Sequence, residues 1–210
     1  MKIIPIKYAE SFLPEGMIFE NGATDIFRPI DFIIYLIETE DRRILVDAGC
    51  ETMPDFDMRN FISPISALES LGLCTDDITD LIITHAHHDH IECAKYFDRS
   101  TIHIQKDEYA KGTRYLPADA HVNIFEKEYS VCDGVRVACI GGHTSGSCIV
   151  EVEAGEKLYV IVGDECYSHE CFEKLIPTGS SRHPQRSKEF IEKYSNDKYT
   201  LLLCHEEYKK

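Results

Sequence analysis

No stretch of this chain approaches the roughly twenty consecutive apolar residues that a bilayer-spanning helix needs, so nothing in it predicts a membrane partner. Basic residues are scarce, 22 against 37 acidic ones, and never stand more than two in a row. At a net charge of −15 the chain lacks the clustered cations that neutralise phosphates, which argues against nucleic acid. The acidity itself reads as solubility. A C-x-x-C pair is also missing. The cysteines are Cys50, Cys74, Cys93, Cys132, Cys139, Cys148, Cys166, Cys171 and Cys204, an odd count with several members inside apolar runs. Free thiols in a reducing compartment explain this better than a disulfide framework. The opening Met1-Lys2-Ile3-Ile4-Pro5-Ile6 is too short an apolar stretch for a signal peptide, so the expected location is cytoplasmic. Repeats, low-complexity tracts and linkers are absent, and 210 residues suit one domain over 1–210.

What is present is a set of short apolar runs that end in polar, metal-ligating residue types. The plainest is Leu81-Ile82-Ile83-Thr84 followed by His85-Ala86-His87-His88-Asp89-His90. Burying imidazoles and a carboxylate without partners costs a few kcal/mol per group, about the loss of a hydrogen bond or more. A metal ion removes that conflict, because imidazole nitrogen and carboxylate oxygen are ligands for zinc and its neighbours. On extended chain His85 and His87 fall on one side, and Asp89 and His90 fall at the start of a following helix. One segment then serves two adjacent metals. The same pattern recurs at His143 in Gly141-Gly142-His143-Thr144-Ser145-Gly146, at Asp164 after Leu158-Tyr159-Val160-Ile161-Val162-Gly163, and at His205 after Leu201-Leu202-Leu203-Cys204. His88, His103, His121, His169 and His183 have no such setting and read as ordinary core or surface residues.

Periodicity places these motifs. Asp31 to Glu38 and Arg43 to Asp47 form a hairpin around Thr39-Glu40-Asp41. Ser63-Pro64 with Ile65, Leu68 and Leu71, closed by Gly72, predicts a capped helix. The Leu81 strand follows, then a helix through Ala94, a strand at Thr101–Gln105 and a short helix over Lys106–Lys111. Val135–Ile140, Cys148–Val152 and Lys157–Val162 read as strands, Gln185–Tyr194 as a helix and Tyr199–Cys204 as the last strand.

Taken in order, His85-x-His87-x-Asp89-His90, Gly142-His143-Thr144-x-Gly146, Gly163-Asp164 and His205 resemble the metallo-β-lactamase superfamily, and Val46-Asp47-Ala48-Gly49 resembles its strand-ending acidic turn. The resemblance implies an α+β fold, a four-layered αβ/βα sandwich with metals at one edge. It implies His85, His87 and His143 on one metal, Asp89, His90 and His205 on the other, and Asp164 as a bridge. The cofactor implied is two divalent metal ions, zinc first, with iron, manganese or cobalt as alternatives. The implied activity is hydrolysis through a metal-bound hydroxide, with Asp89 moving its proton. Asp47 is a candidate for orienting a ligand imidazole, or is only a turn residue.

Tyr167, three residues after Asp164, resembles the tyrosine that contacts substrate in the N-acyl homoserine lactonase branch. Leu71-Gly72-Leu73-x-x-Asp76-Asp77-Ile78 and Ile104-Gln105-x-x-Glu108-Tyr109 echo the same branch. The expected partner is therefore a small-molecule ester or lactone, with Asp89 and Tyr167 as catalytic candidates. The chain departs from that branch at Ser145 and Cys204 and is short between Tyr109 and His143. A glyoxalase II-like thioester hydrolase keeps the same ligands but normally adds a helical region after the last histidine. A persulfide dioxygenase-like oxidoreductase would use one iron on His85, His143 and an aspartate. His87 speaks against the flavodiiron branch, and low positive charge against the nucleases. A sensor without catalysis is the remaining alternative.

Overall fold

The computed structural model describes residues 1–54 and 57–206. Its strands form two mixed sheets. In the first, β1 (Lys2–Pro14), β2 (Phe27–Glu38), β3 (Arg43–Val46), β4 (Asp80–Ile83), β5 (Thr101–Gln105) and β6 (His121–Phe125) lie side by side in chain order. The second holds β7 (Glu128–Cys132), β8 (Val135–Cys139), β9 (Cys148–Ala154), β10 (Lys157–Ile161) and β11 (Tyr199–Leu202), in the spatial order β11-β10-β9-β8-β7. Pairing is antiparallel from β1 to β3 and parallel from β3 to β6. It is antiparallel from β7 to β10, and β11 is parallel to β10.

The helices are α1 (Glu15–Ile18), α2 (Pro64–Ser70), α3 (His88–Ile91), α4 (Lys106–Gly112), α5 (His169–Lys174) and α6 (Pro184–Tyr194). Strand alternation explains why they cover the outer faces. Along β2, Ile33, Tyr35 and Ile37 join Val46, Ile82, Val137, Val150 and Ile161 in one core between the sheets. The intervening Phe32, Ile34 and Leu36 join Leu45, Leu81 and Leu68 of α2 in a second core. A strand covered on both faces has no polar side, hence the unbroken run Phe32-Ile33-Ile34-Tyr35-Leu36-Ile37. On the second sheet, Phe190, Ile191 and Tyr194 of α6 pack with Val160 and Leu203, and the Tyr194 hydroxyl donates to Glu151 Oε1 at 2.7 Å. The result is the expected α+β sandwich of two sheets between helical layers.

The hairpin around Thr39 forms as expected, with Tyr35 opposite Val46 and Glu38 opposite Arg43. Ser63 caps α2 through its hydroxyl, which accepts from Ser66 N. The helix expected to reach Ala94 is instead one α turn, α3, followed by 3-10 turns over Glu92–Tyr96. Strands β1, β6 and β7 and helix α5 carry no clear sequence signal. In β1, Pro5 and a bulge between Lys7 and Ala9 break the alternation, as an edge strand permits. Among the described residues no helix is long and apolar enough to cross a membrane. His103 is a satisfied core residue: its Nε2 donates to Asp80 Oδ1 at 2.9 Å and its Nδ1 accepts from Asn123 Nδ2 at 3.2 Å.

Candidate metal centre

Parallel neighbours release the chain at the same edge, and this decides where the polar residues gather. β3 and β4 end together in the first sheet, β10 and β11 in the second. Asp47 follows β3, the segment from His85 to His90 follows β4, Asp164 follows β10 and His205 follows β11. His143 comes from the turn between β8 and β9. Asp47 turns the chain with a φ of 62°, a left-handed conformation that Asp tolerates better than most residues. Gly163 has a φ of 55° and sits so close that a Cβ would lie 3.1 Å from the Cys148 carbonyl oxygen and 3.3 Å from Thr84 Cβ. A side chain there would push the Asp164 turn away from the β4 end.

The predicted residues converge. Ligating atoms of His85, His87, His143 and Asp164 all lie within 4.8 Å of one another, and so do those of Asp89, His90 and His205. Asp164 stands between the groups. Its Oδ1 is 2.9 Å from His90 Nε2 and 3.0 Å from His205 Nε2. Its Oδ2 is 3.5 Å from His85 Nε2 and 3.4 Å from His143 Nε2. His88, His103, His121, His169 and His183 join neither group among the described residues.

The outer nitrogens fix the protonation of the inner ones. His143 Nδ1 lies 3.1 Å from the Ser180 carbonyl oxygen, and His205 Nδ1 2.9 Å from that of Asp31. A carbonyl only accepts, so both Nδ1 atoms carry the proton and both Nε2 atoms are bare when the rings are neutral. His90 Nδ1 donates to Asp47 Oδ2 at 2.7 Å, and the same carboxylate accepts from Thr84 N and Thr84 Oγ1, each at 2.8 Å. Asp47 is therefore both a turn residue and the anchor of an imidazole. With neutral rings a lone pair of His205 Nε2 faces an Asp164 carboxylate oxygen, and the bare His143 Nε2 stands 2.9 Å from His87 Nδ1. His85 Nε2 and His90 Nε2 are buried without a hydrogen-bond partner. A proton or a cation between the acceptors relieves such a contact, and divalent cations fit this donor set.

The electrostatics divide the histidines: His85 and His143 are lowered, while the surrounding carboxylates raise His90 and His205 against burial. Burial and the neighbouring His90 hold His85 well below the usual histidine range, and burial pushes His143 down to about 4. Both rings are thus neutral, as ligands must be. Burial opposes a charge on His90 too, yet the carboxylates of Asp164, Asp89 and Asp47 overcome it and raise that imidazole well above its ordinary value. Asp164 is held well below the carboxylate range by His90 and His205 in spite of burial.

Two buried carboxylates outside the expected set hold the loops in place. Glu108 accepts from Ala86 N at 3.0 Å, Thr144 Oγ1 at 2.7 Å and Gly146 N at 3.1 Å, tying the His85–His87 turn to the His143 loop. Glu165 accepts from Gly142 N, His143 N and the Ser147 hydroxyl; burial raises its carboxyl to about 7 against those bonds. A glutamate next to Asp164, and another in the Gln105-x-x-Glu108 echo, were the available signals. Neither reveals which backbone amides it binds.

Above this edge lies a cavity of about 580 Å³. Its floor includes His87, Asp89, His143, Asp164 and His205; its walls include the apolar Leu13, Met17, Ile30, Phe32 and Met53. Tyr167 lines it as well, stacked on His205 with ring centroids 4.8 Å apart. Its hydroxyl donates to Asp164 Oδ2 at 2.6 Å. Burial and then the Asp164 charge keep that phenol well above its usual pKa, so it stays a donor.

Residues 34–200 match the family described as the metallo-beta-lactamase superfamily. The chain belongs to that superfamily. Its curated relatives lie in the lactonase-like branch. It is 27% identical over 172 residues to the N-acyl homoserine lactonase AiiB of Agrobacterium fabrum (strain C58 / ATCC 33970), an alignment covering 64% of this chain and 62% of that protein. It is 29% identical over 174 residues to the N-acyl homoserine lactonase AiiA of Bacillus thuringiensis subsp. kurstaki, covering 68% and 67%. The chain thus spans less than two thirds of the Agrobacterium relative. In fold, it superposes on a quorum-quenching N-acyl homoserine lactone hydrolase with a TM-score of 0.85 at 21% identity, covering 97% of this chain and 91% of that one. A dizinc quorum-quenching lactonase, AidC, gives 0.75 at 16% identity, covering 97% and 86%.

Proposed function

We propose that residues 1–210 form one metallo-β-lactamase-like domain acting as a dinuclear metal-dependent hydrolase that opens a lactone or a similar ester. The observation that carries this reading is the Asp164 carboxylate, with one oxygen turned to His90 and His205 and the other to His85 and His143. In this reading His85, His87 and His143 would hold one cation and Asp89, His90 and His205 the other, with Asp164 available to both. Two divalent ions, most simply zinc, supply acidified water and a polarised ester carbonyl when bound.

The chain's own groups do the rest. Asp89, at the cavity floor, accepts a proton at its free carboxylate oxygen and returns it to the leaving oxygen. Tyr167 lines the same cavity, and its hydroxyl turns from Asp164 to give its hydrogen bond to the ester's carbonyl or leaving oxygen. The apolar wall of Leu13, Met17, Ile30, Phe32 and Met53 covers an aliphatic portion of the substrate and excludes water from it. The lactone substrate is supported by the curated N-acyl homoserine lactonases and by a structural neighbour described with the product N-hexanoyl-L-homoserine at its catalytic metal centre.

The test has two parts. Protein purified without chelator should carry close to two divalent ions per chain. Hydrolysis of lactones in ¹⁸O-water should place one heavy oxygen in the new carboxylate. Saturation at one redox-active iron would overturn the dinuclear assignment, and rapid thioester cleavage with lactones left intact would overturn the substrate.

A further inference from the structure

Cys139 and Cys148 face each other across β8 and β9, at the two ends of the loop that carries His143. Their backbone amides are directed elsewhere: Cys139 N donates to the Lys127 carbonyl at 2.7 Å and Cys148 N to the Thr84 carbonyl at 2.9 Å. They are therefore a non-hydrogen-bonded antiparallel pair, the arrangement that brings Cα atoms to about 4.5 Å. That separation falls within the span of a disulfide, about 4.4–6.8 Å. The two side chains share the core between the sheets; the Cys139 thiol donates to the Ser145 carbonyl at 3.9 Å and the Cys148 thiol to the Gly146 carbonyl at 3.1 Å.

Their surroundings differ. Cys148 is buried, whereas Cys139 is only partly so. Cys139 also lines a cavity of about 290 Å³ together with Arg186, Lys193 and a single carboxylate, Glu189. A partly exposed thiol beside cations is the environment in which thiolates become reactive. The neighbouring Cys148 thiol lowers the Cys139 thiol below its ordinary value, against burial and the Glu165 charge, and Arg186 adds to the effect. Cys166 and Cys171 supply a comparison inside the same molecule: each influences the other's thiol, but both are fully buried.

We propose that Cys139 and Cys148 are a thiol oxidation site that a small anionic disulfide converts to a cross-strand disulfide. The Cys139 thiolate attacks one sulfur of the reagent, forming a mixed disulfide and expelling one thiolate. Cys148 then attacks the Cys139 sulfur, the second reagent thiolate leaves, and the protons of the two cysteines end on the two released thiols. Two protein thiols are oxidised and one disulfide is reduced. The new bond closes the stem of the loop between Ile140 and Ser147, whose tip carries His143.

The experiment is incubation of the folded protein with oxidised glutathione, followed by peptide mapping under non-reducing conditions. The wild type should give a Cys139–Cys148 cross-linked peptide, separate from the adduct expected at the exposed Cys74. Cys148→Ser should stop at a glutathione adduct on Cys139, and Cys139→Ser should slow modification of the buried Cys148 at least ~10-fold relative to Cys139 in Cys148→Ser. A stable adduct on wild-type Cys139 without cross-link, or a Cys166–Cys171 cross-link forming first, would overturn the assignment. Equal modification of Cys148 in Cys139→Ser would do the same.

Discussion

Asp47→Asn is the sharpest probe of how the metal centre is built, because it changes one charge and almost no volume. The carboxylate meets three donors: Oδ1 takes Thr84 N, and Oδ2 takes Thr84 Oγ1 and His90 Nδ1. An asparagine has one acceptor oxygen and one amide NH₂ to place at these positions. With NH₂ at the Oδ1 position, two N–H groups oppose each other in a buried site. The Thr84 amide then loses its partner, at a cost of about 1–3 kcal/mol. With NH₂ at the Oδ2 position, the Thr84 hydroxyl can turn and accept, but His90 Nδ1 must accept too. That moves the imidazole proton to Nε2, the atom that faces Asp164 and the second cation position. The less costly fold is therefore the one with a blocked ligand. Loss of such a supporting hydrogen bond costs about 10–100-fold in metal affinity or activity, and we expect the second cation to weaken by that factor while the first keeps its affinity. Competition with a chelator, followed ion by ion, reads this directly, with circular dichroism as the control for folding. A folded Asp47→Asn protein that binds both ions as tightly as wild type would refute the tautomer argument.

Three other outcomes follow from the same geometry. Tyr167→Phe should lower turnover by about 10- to 100-fold, less than the loss of a sole oxyanion donor, with metal content unchanged by elemental analysis; full activity would reduce the tyrosine to packing. Asp164→Ala should lower metal occupancy itself, and a variant that keeps two ions per chain would remove the bridge. Burial opposes ionisation of Asp80, but the His103 and Thr79 hydrogen bonds and the Arg42 charge leave its carboxyl below the ordinary value. A depressed carboxyl stabilises the fold at pH values above the unfolded pKa of about 3.9 and loses that contribution as pH falls through the folded value. Asp80→Asn should therefore flatten the acid limb of a Tm-against-pH curve relative to wild type, and parallel curves would contradict the assignment.

The sequence was legible wherever chemistry and burial conflict. Imidazoles and carboxylates at the ends of apolar runs have few reasons to be there, so the sequence singles out His85, His87, Asp89, His90, His143, Asp164 and His205 together, and the fold gathers them at one edge. Strands covered on both faces, such as β2 and β4, were legible as continuous apolar runs. β1 was not, because Pro5 and the bulge at Lys7 spoil its period at an edge where neither is costly. The supports were hidden for a different reason. Glu108 and Glu165 act by accepting from backbone amides of distant loops, and the Ser180 and Asp31 carbonyls act through their main chain. Side-chain identity carries no record of either.

The division of the centre between the sheets has a consequence for folding. The first sheet contributes His85, His87, Asp89 and His90; the second contributes His143, Asp164 and His205. Neither half can hold both cations, so the pockets come into being only when the two halves dock, late and through contacts far apart in the chain. An ion that binds the docked form alone stabilises it by about 2.7 kcal/mol at a hundredfold excess over its dissociation constant. Starving the chain of metal would then act on the seam between the halves before it acts on either sheet, and the amides of Asp31, Ile33 and Cys148, which bond across it to the carbonyls of His205, Cys204 and Thr84, would be the first of the core to exchange with deuterium.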